Sequence, residues 1–81
     1  MEKRIAILGI IVEEAERAMA VNDLLHEYRE YIIGRMGMPY REKNISVISV
    51  VLDAPNETIS ALSGKLGMLD GVSSKAVYSK K

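Results

Sequence analysis

The chain has 81 residues, 48% of them apolar, with 11 Lys plus Arg against 11 Asp plus Glu and a formal net charge of zero. That size sets an expectation of one domain over residues 1–81 with a thin core, and the apolar content is too high for a disordered segment. With no Cys and one His, disulfide frameworks, thiolate metal sites, Cys nucleophiles and multi-histidine sites within one chain are excluded, and no basic excess points to nucleic acid.

Residues 5–12, rich in Ile, Leu and Val, predict a strand. Met1-Glu2-Lys3-Arg4 followed by this run imitates the start of a signal peptide. The run then meets Glu13-Glu14, where small uncharged residues would be required, and it is far shorter than the ~20 residues of a membrane span. The expectation is a cytoplasmic protein without a membrane partner. Residues 13–30 predict a helix, with Ala15, Ala18, Val21, Leu25 and Tyr28 on one face and Glu13, Glu14 and Glu16 in the first turn. Residues 31–38 predict a second strand, weakened by Gly34 and Gly37, and residues 39–44 a polar turn. Residues 45–52 are β-branched and predict a third strand. Asp53-Ala54-Pro55-Asn56 reads as the opening of a second helix with Ile59, Leu62 and Leu66 on its apolar stripe and Gly67 as its stop. Asp70-Gly71 is a turn signal, residues 72–78 predict the last strand, and Lys80-Lys81 form a charged tail.

The order strand-helix-strand-strand-helix-strand predicts an α+β fold: a ferredoxin-like βαββαβ sandwich. One four-stranded antiparallel sheet then carries both helices on one face, because right-handed crossovers place them together. Strands covered on one face should alternate apolar with polar, and the two central strands do not. Ile5, Ile7 and Ile11 oppose Ala6, Leu8, Ile10 and Val12, while Ile45, Val47 and Val51 oppose Ile48, Val50 and Leu52. Such a second apolar face would exceed what monomers usually expose, so the expected partner is a second copy of the chain, in a dimer or tetramer.

Chemistry-bearing residues are few. Arg35, between Gly34 and Gly37, offers a guanidinium to a carboxylate or phosphate, with Met36, Met38 and Tyr40 as expected walls. His26 stands alone, Glu13 and Glu14 point apart, and no nucleophile sits at a recognisable spacing from a base, so no catalytic residue and no cofactor are expected. The loop after the first strand is too acidic for an acylphosphatase-like phosphate cradle. There is no Phe or Trp, and no Tyr on the central strands, for base stacking, so no direct nucleic-acid partner is expected.

The stretches "RIAILGIIVE", "IIGRMGMPYREKNISVISVVLDAPNETISALSGKLGMLDGVS" and "KAVYSK" resemble the iron-only hydrogenase system regulators, with "GRMGMPY" and "LSGKLGMLDGV" the most specific parts. That family is related to ACT domains and to the C-terminal domain of the nickel-responsive repressor. The resemblance implies an ACT-like fold that oligomerises and a regulatory role beside the enzymes that mature iron-only hydrogenase. The repressor's DNA-binding ribbon-helix-helix has no counterpart before the first predicted strand, and its His and Cys nickel ligands are missing, so DNA binding and nickel sensing do not transfer. ACT domains commonly bind amino acids at subunit interfaces near the turn after the first strand, which would implicate Gly9, Val12 and Glu13. The expected function is a non-enzymatic sensor that binds a small molecule or a partner protein at a subunit interface. The alternatives are a small dimeric α+β barrel enzyme using His26 or Arg35, and a purely structural adaptor.

Overall fold

The computed structural model describes residues 2–80; Met1 and the last residue of the expected charged tail, Lys81, lie outside the described residues. Strands β1 (Lys3–Val12), β2 (Ile32–Tyr40), β3 (Ile45–Pro55) and β4 (Val72–Tyr78) and helices α1 (Ala18–Glu27) and α2 (Asn56–Gly67) follow one another in the order β1-α1-β2-β3-α2-β4. The strands form one four-stranded sheet in the order β2-β3-β1-β4, every pair antiparallel. The expected ferredoxin-like architecture is therefore observed, with the most aliphatic strands, β1 and β3, in the centre.

The core lies between one sheet face and the two helices. Ala6, Leu8, Ile10 and Val12 of β1 and Ile48, Val50, Leu52 and Ala54 of β3 are all buried there. Pairing places Leu8 opposite Val50 and Ile10 opposite Ile48, so the two rows meet across the ladder. Val21 and Leu25 of α1 and Ile59, Leu62 and Leu66 of α2 close over them at helical spacing. Every core side chain is aliphatic, and among the described residues none that is buried is polar or charged.

Several boundaries differ from the sequence expectation, each for a tertiary reason. The predicted helix over 13–30 is shorter, because α1 is flanked by single 3-10 turns at Ala15–Arg17 and Arg29–Tyr31. The Glu13 N–H donates to the Gly71 carbonyl at 2.7 Å. That bond holds the chain beside the entry to β4, so Glu13 and Glu14 precede the first helical turn instead of occupying it. Ala15 is consequently exposed rather than part of the buried stripe. Asp53 and Ala54 do not open α2. They continue β3 by pairing with Ile5 and Arg4, and Pro55, opposite Lys3, becomes the residue before the helix. No side chain caps that helix start.

Strand β2 runs two residues beyond the expected Met38 and includes Pro39, which is tolerated because β2 is an edge strand paired with β3 alone. A bulge between Ile32 and Gly34 leaves Ile33 without a partner. Gly71 has φ +75°, and a Cβ added there would lie 2.7 Å from Glu14 Cγ, so backbone conformation and space both favour glycine. Helix α2 ends at Gly67 as expected.

Candidate functional site

The molecule presents two candidate surfaces, the sheet face that carries no helix and the groove between α1 and the edge strand β2.

On the helix-free face, Ile5, Ile7 and Ile11 of β1, Val47 of β3 and Val77 of β4 are exposed. Register adds Met36 opposite Ser49, Met38 opposite Val47 and Tyr40 opposite Ile45. Met36 and Met38 are 65% and 61% exposed, large fractions for apolar side chains inside a strand. The expectation of a second apolar sheet face therefore matches the geometry. At mid-face, Gly9 stands between Ser49 and Lys75. With no side chain on Gly9, a shallow depression of about 430 Å³ opens there, bordered by Ile11, Val47, Ser73 and Lys75. A smaller hollow of about 190 Å³ lies beside it among Met36, Met38, Val47 and Ser49. The face is an apolar rim around a small, polar-edged centre.

The bulge in β2 decides where the candidate ligand residues point. Ile32 pairs with Leu52, but Gly34 pairs with Val51 and Arg35 with Val50. The one-residue slip sends Arg35, Gly37 and Pro39 to the helix side and Gly34, Met36, Met38 and Tyr40 to the open side. The expected cluster of Arg35 walled by Met36, Met38 and Tyr40 is thus divided between two faces, although Met38 also borders a groove that Arg35 lines on the helix side. A Cβ added at Gly34 or Gly37 would meet nothing within 4 Å, so neither glycine accommodates a close backbone approach within this chain.

On the helix side an Arg35 guanidinium N–H donates to Asn22 Oδ1 of α1. Arg29 Nη1 donates to the His26 carbonyl at 2.9 Å. Asn22, Leu25, His26, Arg29, Ile32 and Arg35 line a groove of about 350 Å³. Asn22 and Arg29 were not picked out from sequence. The signal was present, since residues 22, 26 and 29 follow a helical i, i+4, i+7 stripe beside the buried Leu25.

The residues implicated by the ACT resemblance scatter. Val12 is buried in the core, Gly9 opens the depression on the open face, and Glu13 is exposed at the end of β1. Among the described residues no three His, Asp or Glu side chains gather as a metal site would need, and no helix is long and apolar enough to cross a membrane.

The fold is an open-faced βαββαβ sandwich, a domain class that hosts many unrelated functions. Residues 4–76 match the TM1266-like family, described as "Iron-only hydrogenase system regulator, putative", and the chain belongs to that family. A solved structure, that of the uncharacterized protein TM1266 from Thermotoga maritima, is similar at 51% identity with a TM-score of 0.93, covering 98% of this chain and 100% of that one. No curated protein matches the chain.

Proposed function

We propose that the chain is a non-enzymatic regulatory protein of the iron-only hydrogenase system. In this reading copies join across the helix-free sheet face, and a small ligand or partner protein biases that assembly. The observation that carries the reading is the exposed row of Ile5, Ile7, Ile11, Val47, Met36 and Met38. These residues share the helix-free face of three neighbouring strands, β2, β3 and β1. Monomers rarely leave more than ~300–600 Å² of contiguous apolar surface in water, and a stable interface takes roughly 800 Å² from each partner. A two-fold packing lets the same patch serve both copies, which fits a chain with zero formal charge and little repulsion between copies.

Regulation then follows from linkage. A ligand that contacts one arrangement of the copies better than another shifts the population toward it. The family description supports a regulatory role, and the residue inventory supports the absence of catalysis, with one His and no Cys in the sequence.

The test is genetic and physical together. A host lacking this chain should show altered iron-only hydrogenase level or maturation, restored by the natural gene and not by one carrying Ile7→Lys. Unchanged hydrogenase in the deletion strain would overturn the regulatory reading.

A further inference from the structure

We infer that the groove between α1 and β2 is a binding site for a small oxyanion-bearing metabolite, whose carboxylate or phosphate head is held by Arg35 and Arg29. This supplies the ligand class that the regulatory reading leaves open, and it rests on that reading for its biological purpose alone.

Both guanidiniums line the same groove from different elements, Arg29 from the 3-10 turn after α1 and Arg35 from the helix side of β2. Each is anchored by a neutral acceptor, Asn22 Oδ1 for Arg35 and the His26 carbonyl for Arg29. Among the described residues the ion pair is Arg17 with Asp70, so neither groove arginine has a carboxylate within 4 Å, although the chain carries 11 Asp plus Glu. Two cations thus line one concavity with no carboxylate of the described residues within 4 Å of either.

An arginine has five N–H donors in a rigid fork, so one anchoring bond orients the group and leaves donors for a ligand. Paired guanidiniums hold carboxylates and phosphates with charge-assisted, often bidentate bonds. The anchoring bonds also reduce the entropy lost on binding, since the side chains are already placed. The remaining walls fit a short aliphatic body: Leu25 is buried beneath the groove, and Ile32 lines its side. The volume of about 350 Å³ lies in the range of small-molecule sites. A polymeric anion is a poorer fit, because the chain as a whole carries no net positive charge to attract one.

The test is a titration of the full chain by two-dimensional amide NMR with inorganic phosphate, with isobutyrate, and with chloride at matched ionic strength. Saturable shifts are expected at Asn22, His26, Arg29 and Arg35 for phosphate or isobutyrate and not for chloride. Tighter binding of phosphate assigns a phosphate head, and tighter binding of isobutyrate assigns a carboxylate with an apolar tail. Arg35→Ala and Arg29→Ala should each weaken binding about tenfold or more, as expected for a lost charge-assisted bond, whereas Arg41→Ala leaves it unchanged. Arg35→Gln, which keeps a donor for Asn22, guards against a fold defect and should weaken binding likewise. Saturation absent for both oxyanions, or equal affinity in the folded Arg35→Gln variant, would overturn the proposal. Either failure leaves oligomeric state and the hydrogenase phenotype, the readouts of the regulatory reading, separately measurable.

Discussion

Both faces of the two central strands carry β-branched and other aliphatic residues, and those residues meet different fates. On β1, Leu8 is fully buried under the helices while Ile7, one residue earlier, is 45% exposed. On β3, Val50 and Val47 show the same contrast. The difference teaches that aliphatic composition specifies a strand but not what covers it. Helices α1 and α2 cover one face within the chain, and the other carries no helix and leaves Ile5, Ile7, Ile11 and Val47 exposed. The two faces should therefore respond differently to the same kind of substitution.

The largest effect is expected in the core. Leu8→Ala should cost about 2–5 kcal/mol in urea unfolding, the usual range for an aliphatic cavity, and should leave the dependence of the midpoint on protein concentration intact. Ile7→Lys should do the opposite. A chain stabilised by association unfolds at a midpoint that rises with its own concentration. The lysine should abolish that rise while preserving the circular dichroism of the fold. If Ile7→Lys unfolds the chain as severely as Leu8→Ala at every concentration, the two faces are not distinct in the way described.

Next is the turn that sets the two halves against each other. Gly71→Ala forces a side chain into left-handed backbone and against Glu14, and should destabilise by about 1–2 kcal/mol from the backbone term alone. Adding Glu14→Ala should recover the crowding part and not the backbone part, measurable as non-additivity in a double-mutant cycle.

The smallest effect lies on the surface of the helix layer. Hydrogen bonding to Tyr28, then the negative charge of its phenolate form and, less, of Glu27 raise the Lys65 pKa above the ordinary lysine value, with desolvation opposing. The ammonium also stands 5.3 Å from the Tyr28 ring centre. A raised folded-state pKa means that the protonated lysine favours the fold. That contribution is complete at neutral pH and is lost only as pH climbs past the ordinary lysine range and through the raised value. Tyr28→Phe should lower the Lys65 pKa, read by NMR of its side-chain carbons, and cost a small amount of stability at neutral pH, a difference that fades as pH climbs through the raised value.

Much of this architecture was legible from sequence because period-two alternation is local: the rows Ala6-Leu8-Ile10-Val12 and Ile48-Val50-Leu52 announce their face without any tertiary knowledge. The start of α1 was not legible, since it is set by the bond from Glu13 to Gly71, residues far apart in the chain. Asp53-Ala54-Pro55-Asn56 carries residues that commonly open helices, and pairing of Asp53 and Ala54 with the start of β1 overrode them. At the candidate site, Arg35 stood out by its residue type between glycines. Its surroundings did not, because the bulge at Ile33 reverses which residues of β2 face the helices. Simple alternation from Ile32 would have sent Met36 inward and Arg35 outward. Asn22 and Arg29 gain meaning only once that reversal brings Arg35 beside α1.

The proposal that the helix-free face is buried against another copy has a direct physical consequence for particle mass. Sedimentation velocity of the natural chain and of Ile7→Lys at low micromolar concentration tests it most directly. The account predicts a particle at a multiple of the 9.0 kDa chain mass for the natural protein and a folded 9.0 kDa particle for the variant. A natural chain that sediments as a folded 9.0 kDa particle would contradict it.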